Sequence, residues 1–315
     1  MKAQAIPESQ PSTSISEFPP RRSFFHTFQR WEWMLVGLIL LDILINIRLS
    51  PFFLDARNLS RTSSDFMEIG LMMLPMVFII ITGNIDLSVA SNLGMSASFM
   101  GLLHNNGVNI WVAALAGLLL GTLGGMLNGY LVARVKLPSL VVTLGTYAFY
   151  RGLAYGFFGD QAGGGYPEAF TYFGQGRIFD TLIPFSVALF IVLAIVFGLV
   201  LHRTTFGRYL YAIGNNENAT LYSGVPVERI KFIIYTLSGF MAAVAGLILA
   251  ARFGSTRPDI GTGLEPAVIT AVVVGGVVVL VGLAGGGGGL VGVLHVVAGD
   301  GVVRGGVAGG AGGRL

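Results

Sequence analysis

Long apolar runs dominate this chain and limit what it can become. They cover residues 33–49, 66–83, 87–104, 110–133, 139–158, 181–201, 231–251 and 266–284. A hydrocarbon layer about 30 Å thick is crossed by roughly 20 apolar residues in helical form. Within lipid the backbone amides and carbonyls find no water, so only helices and closed barrels satisfy them. These runs are too long and too continuous for barrel strands. The expected fold is therefore all-α, a polytopic bundle of eight legible transmembrane helices. Composition agrees: 11% of the 315 residues are charged, against about 25% in soluble domains, and the mean hydropathy is +0.74.

The polar remainder sets organisation and orientation. Residues 1–30 are rich in Ser and Pro and carry Arg21, Arg22 and Arg30. The run from Trp33 has no small-residue cleavage site, so this segment reads as a disordered cytoplasmic tail before a retained anchor rather than as a signal peptide. Arg134 and Lys136 follow the fourth run, and Arg203, Arg208 and Arg229 lie in the segment 202–230. Asp160, Glu168 and Asp180 outnumber Arg177 in the segment 159–180. The excess of Lys and Arg on cytoplasmic loops then places 134–138, 202–230 and the N-terminus inside, and 159–180 outside. Arg57 and Arg61 in the outer segment 50–65 run against this rule, softened by Asp55 and Asp65.

Gly117, Gly121, Gly125 and Gly129 recur every fourth residue in the fourth run. On a helix they form one groove in which a second backbone can lie close. The plainer account is that glycine is simply common in membrane helices. After Ala271 the alphabet narrows almost to Val, Gly, Leu and Ala. The segment 31–284 is read as the membrane domain, and 285–315 as a low-complexity end. That end is either a departure from the reading frame or a genuine, poorly helical tail, since each Gly costs a helix about 1 kcal/mol relative to Ala.

Catalytic chemistry finds no support. No phosphate-binding Gly-rich loop ends in Lys-Ser or Lys-Thr, and GGGGG at 285–289 lacks the strand–turn–helix setting of a nucleotide fingerprint. His26, His104, His202 and His295 are scattered, so no metal cluster is expected, and the absence of cysteine removes thiolate ligands and disulfides. No basic patch with interleaved aromatics points to nucleic acid. The informative residues are the polar ones inside apolar runs, Asp42, Glu68, Asn84, Asp86 and Asn128, because burying them is costly without a partner or a task. In TGNIDLSVAS, residues 82–91, Gly83 and Asn84 break one helix. Asp86 then caps the next through the amides of Ser88 or Val89, at its positive end. A substrate contact, or a packing or gating role, is the alternative. Asp42 and Glu68 are read as lying near the ends of tilted spans. In the segment 202–230, NENATLYSG fits one short helix with Asn215 or Asn216 as cap, Glu217 in the first turn and Gly224 as terminator. It would be a docking element for a soluble partner, or merely a solvated helix.

Four stretches together resemble one family. TGNIDLSVAS is similar to a Gly-Gly-Ile-Asp-Leu-Ser signature, with Asn84 in place of the second Gly. LPSLVVTLGTYAFYRGLA (137–154), FGRYLYAIGNNENATLYSGVPVERIK (206–231) and GTGLEPAVITAVVVGG (261–276) carry the rest. The chain resembles the permease subunits of bacterial ABC sugar importers of the ribose, xylose and autoinducer-2 class, and looks most like the autoinducer-2 and rhamnose-type members. The resemblance implies a multi-pass protein of the inner membrane. It implies a pore shared with a second, identical or related permease subunit, a periplasmic sugar-binding protein and two cytoplasmic ATPase subunits. ATP would be used by that partner, with no cofactor on this chain. The segment 214–225 would be the coupling helix, with Gly214, Asn215, Asn216, Glu217, Ala219, Ser223 and Gly224 at the ATPase. The family commonly has one or more further helices beyond position 276. A stand-alone ion-coupled carrier and a membrane-embedded enzyme are the competing classes.

Overall fold

The computed structural model describes residues 30–49, 53–158, 162–178 and 181–274. The tail expected over 1–30 lies outside these residues up to 29. So do the low-complexity end 285–315, the last expected span beyond 274, His26, His295, Asp160 and Asp180. The elements in order are α1 (Arg30–Leu49), α2 (Ala56–Asp65), α3 (Met67–Ile81), α4 (Val89–Asn105), α5 (Ile110–Ala133) and α6 (Ser139–Phe158). Then come β1 (Gly163–Gly164), α7 (Glu168–Gln175), α8 (Phe185–Arg203), α9 (Thr205–Asn215), α10 (Glu217–Tyr222), α11 (Val227–Phe253), β2 (Ser255–Thr256) and α12 (Leu264–Val274).

Each expected span overlaps a helix, yet among the described residues only α5, α8 and α11 are long and apolar enough to cross a membrane by themselves. A fourth is gained if α2 and α3, bent by 45° at their junction, count as one span. Two of the others, α3 and α4, fall short for a physical reason. α4 has 17 residues and includes Ser91, Asn92, Ser96 and Ser98, but from Val89 to Gly101 all but Phe99 are buried in protein. A helix enclosed by other helices needs no lipid-compatible surface. α3 has 15 residues and is likewise enclosed, from Leu71 to Ile81.

Three elements between the spans differ from expectation. α2 and α7 occupy segments read from sequence as loops, and α9 precedes the single short helix expected in 202–230. Local capping explains two of them. Asp55 accepts from Arg57 N at the start of α2, and Thr204 accepts from Gly207 N at the start of α9. β1 and β2 pair antiparallel, Gly163 with Thr256 and Gly164 with Ser255, tying the segment before α7 to the end of α11.

α5 packs chiefly on α11 and α4, and its glycine row faces both. A methyl group on Gly117 would lie 2.8 Å from Ser96 O, on Gly121 2.6 Å from Ala243 Cβ, on Gly125 2.8 Å from Gly239 Cα, and on Gly129 2.9 Å from Phe232 O. Two backbones therefore touch, with Gly239 of α11 answering Gly125. The four-residue period of the glycines matches the ridge geometry of a helix face. A guanidinium from α6 ties the neighbouring elements together: Arg151 donates to Pro258 O at 2.8 Å and Ile260 O at 3.0 Å through Nη1, and to Ala90 O at 3.3 Å through Nη2.

Candidate functional site

The helix break is built from backbone upward. Thr82 Oγ1 donates to Ile79 O at 2.8 Å, Gly83 N to Ile80 O at 2.9 Å and Asn84 N to Ile79 O at 3.1 Å. These two amide bonds form a Schellman closure of α3, and the φ of +74° at Gly83 is the left-handed conformation that closure demands. Asn84 turns inward and donates to Thr82 O and Thr82 Oγ1 at 3.0 and 3.1 Å. The chain then runs without regular secondary structure from Asn84 to Ser88 before α4 begins.

Asp86 lies in that interval, 2% exposed. Its Oδ1 accepts from Ser88 N at 2.9 Å and from Ser88 Oγ at 2.6 Å. The residue at the cap position of α4 is Ser88, whose side chain makes no cap bond. Asp86 thus serves the helix entry from two residues upstream, through Ser88, and not as the N-cap residue itself. Its second oxygen is committed elsewhere: Ser238 Oγ of α11 donates to Asp86 Oδ2 at 2.9 Å.

The polar chain continues across the bundle. Asn128 Nδ2 of α5 donates to Ser88 Oγ at 2.7 Å, and Tyr150 OH of α6 donates to Gly124 O at 2.8 Å and to Asn128 Oδ1 at 3.4 Å. Tyr235 OH of α11 donates to Ile85 O at 3.2 Å, and Ser139 Oγ of α6 accepts from Ile85 N at 3.4 Å. Four segments thus meet at the break: the α3–α4 link, α5, α6 and α11. Among the described residues the carboxylate is held by neutral donors alone, and no ion pair includes it. Such a site can fix the path of a broken span and hold four segments in one register. Asn84, Asp86, Ser88 and Asn128 were readable from sequence. Ser238, Tyr150, Tyr235 and Ser139 were not singled out, although a hydroxyl inside an apolar run is the signal that marks them.

The other intramembrane acids have different settings. Glu68, 2% exposed, lies in the first turn of α3, as expected near a span end, and faces Arg252 of α11, with Nε 3.1 Å from its Oε1. Arg252 also pairs with Asp65 at the elbow between α2 and α3. Asp42 lies midway along α1, where Asn46 Nδ2 donates to its backbone oxygen at 2.8 Å and to Oδ1 at 3.2 Å.

At the far end of α11 the segment 205–226 forms a helix pair. Asn216 is the cap of α10 and accepts from Ala219 N at 2.9 Å. Gly214 and Asn215 belong to the last turn of α9, so the sequence-expected start at 214 is two helices joined at Asn216. Glu217 Oε2 meets Lys231 Nζ of α11 at 2.7 Å, and Thr220 Oγ1 donates to Ala212 O of α9 at 2.8 Å. Ser223 Oγ donates to Ala219 O at 2.8 Å. Gly224, at φ +84°, ends α10 with its amide on Leu221 O at 3.0 Å, and Val225 N reaches Thr220 O at 3.4 Å, a second Schellman closure. The helix so fixed presents Leu221 and Tyr222 outward, Tyr222 at 89% exposure.

The chain belongs to the family described as branched-chain amino acid transport system / permease component, whose model matches residues 58–302. It is a permease component of an ABC importer, a transport subunit and not an enzyme, which sets aside the membrane-enzyme and stand-alone-carrier readings. The family match continues past Ala271, where the alphabet narrows. The chain is 36% identical over 272 residues to the autoinducer 2 import system permease protein LsrD of Escherichia coli O9:H4 (strain HS), covering 84% of this chain and 82% of that protein. The LsrD proteins of Shigella flexneri and of Escherichia coli O157:H7 match over the same shares at the same identity. No solved structure matches the chain.

Proposed function

We propose that this chain is the subunit through which an ATP-driven importer carries autoinducer 2, or a sugar-like molecule of the rhamnose or ribose type, across the inner membrane. The observation that carries the reading is the 36% identity to the autoinducer 2 permease LsrD over 84% of the chain. In this reading the chain crosses the membrane with its N-terminus in the cytoplasm, and all eight apolar runs belong to the bundle. It shares its pore with a second permease subunit, receives its cargo from a periplasmic binding protein, and moves in response to two cytoplasmic ATPase subunits. ATP binds to those partners.

The pair α9–α10 is the coupling element, with Gly214, Asn215, Asn216, Glu217, Ala219, Ser223 and Gly224 shaping it and Tyr222 inserted into the ATPase. Asn84, Asp86 and Ser88 keep the broken span in position while the bundle alternates. Two features support this: the capping and ion pair that hold α10 on α11, and the exposure of Tyr222. The test is co-expression of the full chain with its ATPase and binding protein, followed by affinity purification and uptake of labelled autoinducer 2, rhamnose and ribose. Tyr222→Ala is expected to leave membrane insertion and melting unchanged while reducing ATPase recovery at least tenfold, the scale of an aromatic interface anchor of about 2 kcal/mol. Full ATPase recovery with Tyr222→Ala removes α10 as the coupling element. Uptake of none of the three sugars by the wild-type complex removes the substrate assignment.

A further inference from the structure

A groove of about 640 Å³ opens where α5 ends and α11 begins, lined by Tyr130, Arg134, Glu228, Arg229, Phe232 and Ile233. Its two walls differ. One is cationic: Arg134 Nη1 lies 3.5 Å from Glu228 Oε2, and Lys136 Nζ lies 3.8 Å from Glu228 Oε1. Arg229 is exposed and forms no ion pair among the described residues. Two cations thus hold one carboxylate, Arg229 adds a third positive charge to the groove, and the turn carrying Lys136 is held in the left-handed region at φ +61°. The other wall is apolar and open. Tyr130 is 54% and Ile233 48% exposed. Above Tyr130, α5 exposes Leu127, Leu123 and Leu119 in one stripe, spaced by three or four residues. Both α5 and α11 are long and apolar enough to span a membrane.

We propose that this groove binds the phosphate headgroup of an anionic phospholipid, whose acyl chains lie along the exposed stripe of α5. The charge surplus calls for an anion, and the stripe that continues from the same opening calls for a long apolar tail on that anion. A basic pocket between spanning helices, at headgroup depth, is the arrangement that selects acidic lipids over zwitterionic ones. Tyr130 supplies the amphipathic ring such a depth favours. An acidic surface of the ATPase would meet the cations but has no use for the stripe, so the lipid is the better match. The inference rests on the membrane character of the chain and not on its substrate.

The experiment uses the purified full chain in nanodiscs of equal phosphatidylglycerol and phosphatidylcholine, transferred to detergent, with retained lipid measured by mass spectrometry. Wild type is expected to retain phosphatidylglycerol preferentially. Arg134→Gln and Arg229→Gln should each reduce that preference about fivefold, the worth of one basic residue at an acidic surface. Glu228→Gln should raise it, and this opposite sign decides the matter even where an arginine variant fails to fold. A preference unchanged by Glu228→Gln overturns the proposal. Displacement of the lipid by millimolar glycerol phosphate overturns it in favour of a free phosphate ligand. Loss of ATPase recovery in the arginine variants with lipid retention unchanged overturns it in favour of a protein contact.

Discussion

Ser238→Ala tests the polar site more sharply than any change to Asp86 alone. The hydroxyl is fully buried on α11 and donates to Asp86 Oδ2 at 2.9 Å. Its removal leaves one oxygen of a buried carboxylate without a donor, and hydrogen bonds to charged groups are worth about 1.5–3 kcal/mol. Asp86→Ala withdraws the acceptor from Ser88 N, Ser88 Oγ and Ser238 Oγ together. Three buried donors at about 1–3 kcal/mol each, less what the Ser88 hydroxyl regains by turning, give a loss of about 3–6 kcal/mol. Asp86→Asn keeps an oxygen for Ser88, and Ser238 can turn to accept from the new amide, so its cost is about 1–2 kcal/mol. The double variant Ser238→Ala with Asp86→Ala should cost less than the sum of the singles by about 1.5–3 kcal/mol, because the shared bond can be lost only once. The assay is reversible unfolding of the purified chain in mixed micelles, with transport measured in parallel for each variant. Additivity within about 0.5 kcal/mol would refute the bond, and a stable, fully transporting Asp86→Ala protein would refute the wider role of the site.

Two other perturbations follow from the same packing. Gly125→Ala places a methyl group 2.8 Å from Gly239 Cα and should cost about 1–3 kcal/mol, whereas Gly145→Ala meets nothing within 4 Å and should be neutral or stabilising by up to about 1 kcal/mol; melting of the two proteins side by side checks the sign of each. Arg252→Gln strips the partner from buried Glu68 and should destabilise by about 3–5 kcal/mol, with Glu68→Gln added in the same chain recovering much of the loss in the same unfolding measurement.

The apolar runs made the spanning helices legible, because length and continuity in such runs have few alternatives. Gly83-Asn84 was equally readable: a residue with positive φ followed by an amide side chain is what a helix end requires. What stayed hidden was what depends on contacts distant in sequence. Nothing near Ser238 points to a carboxylate 152 residues away, and nothing near Glu68 points to Arg252. The span read over 87–104 tolerates its serines and Asn92 only through burial against α5, α6 and α11, which the sequence does not show. Asn92 Nδ2, for instance, donates to Gly121 O at 2.9 Å, inside the groove that the glycine row leaves open. Short amphipathic helices such as α2, α7 and α9 carry too few turns to stand out beside the long spans.

Arg151 has a mechanical consequence. One side chain on α6 clasps a carbonyl of α4 and two in the link between α11 and α12. Those three regions are bound to travel together, since shifting any one alone breaks bonds to a charged group. Whatever motion carries cargo past this chain must take α6, the start of α4 and the link at 258–260 as one body.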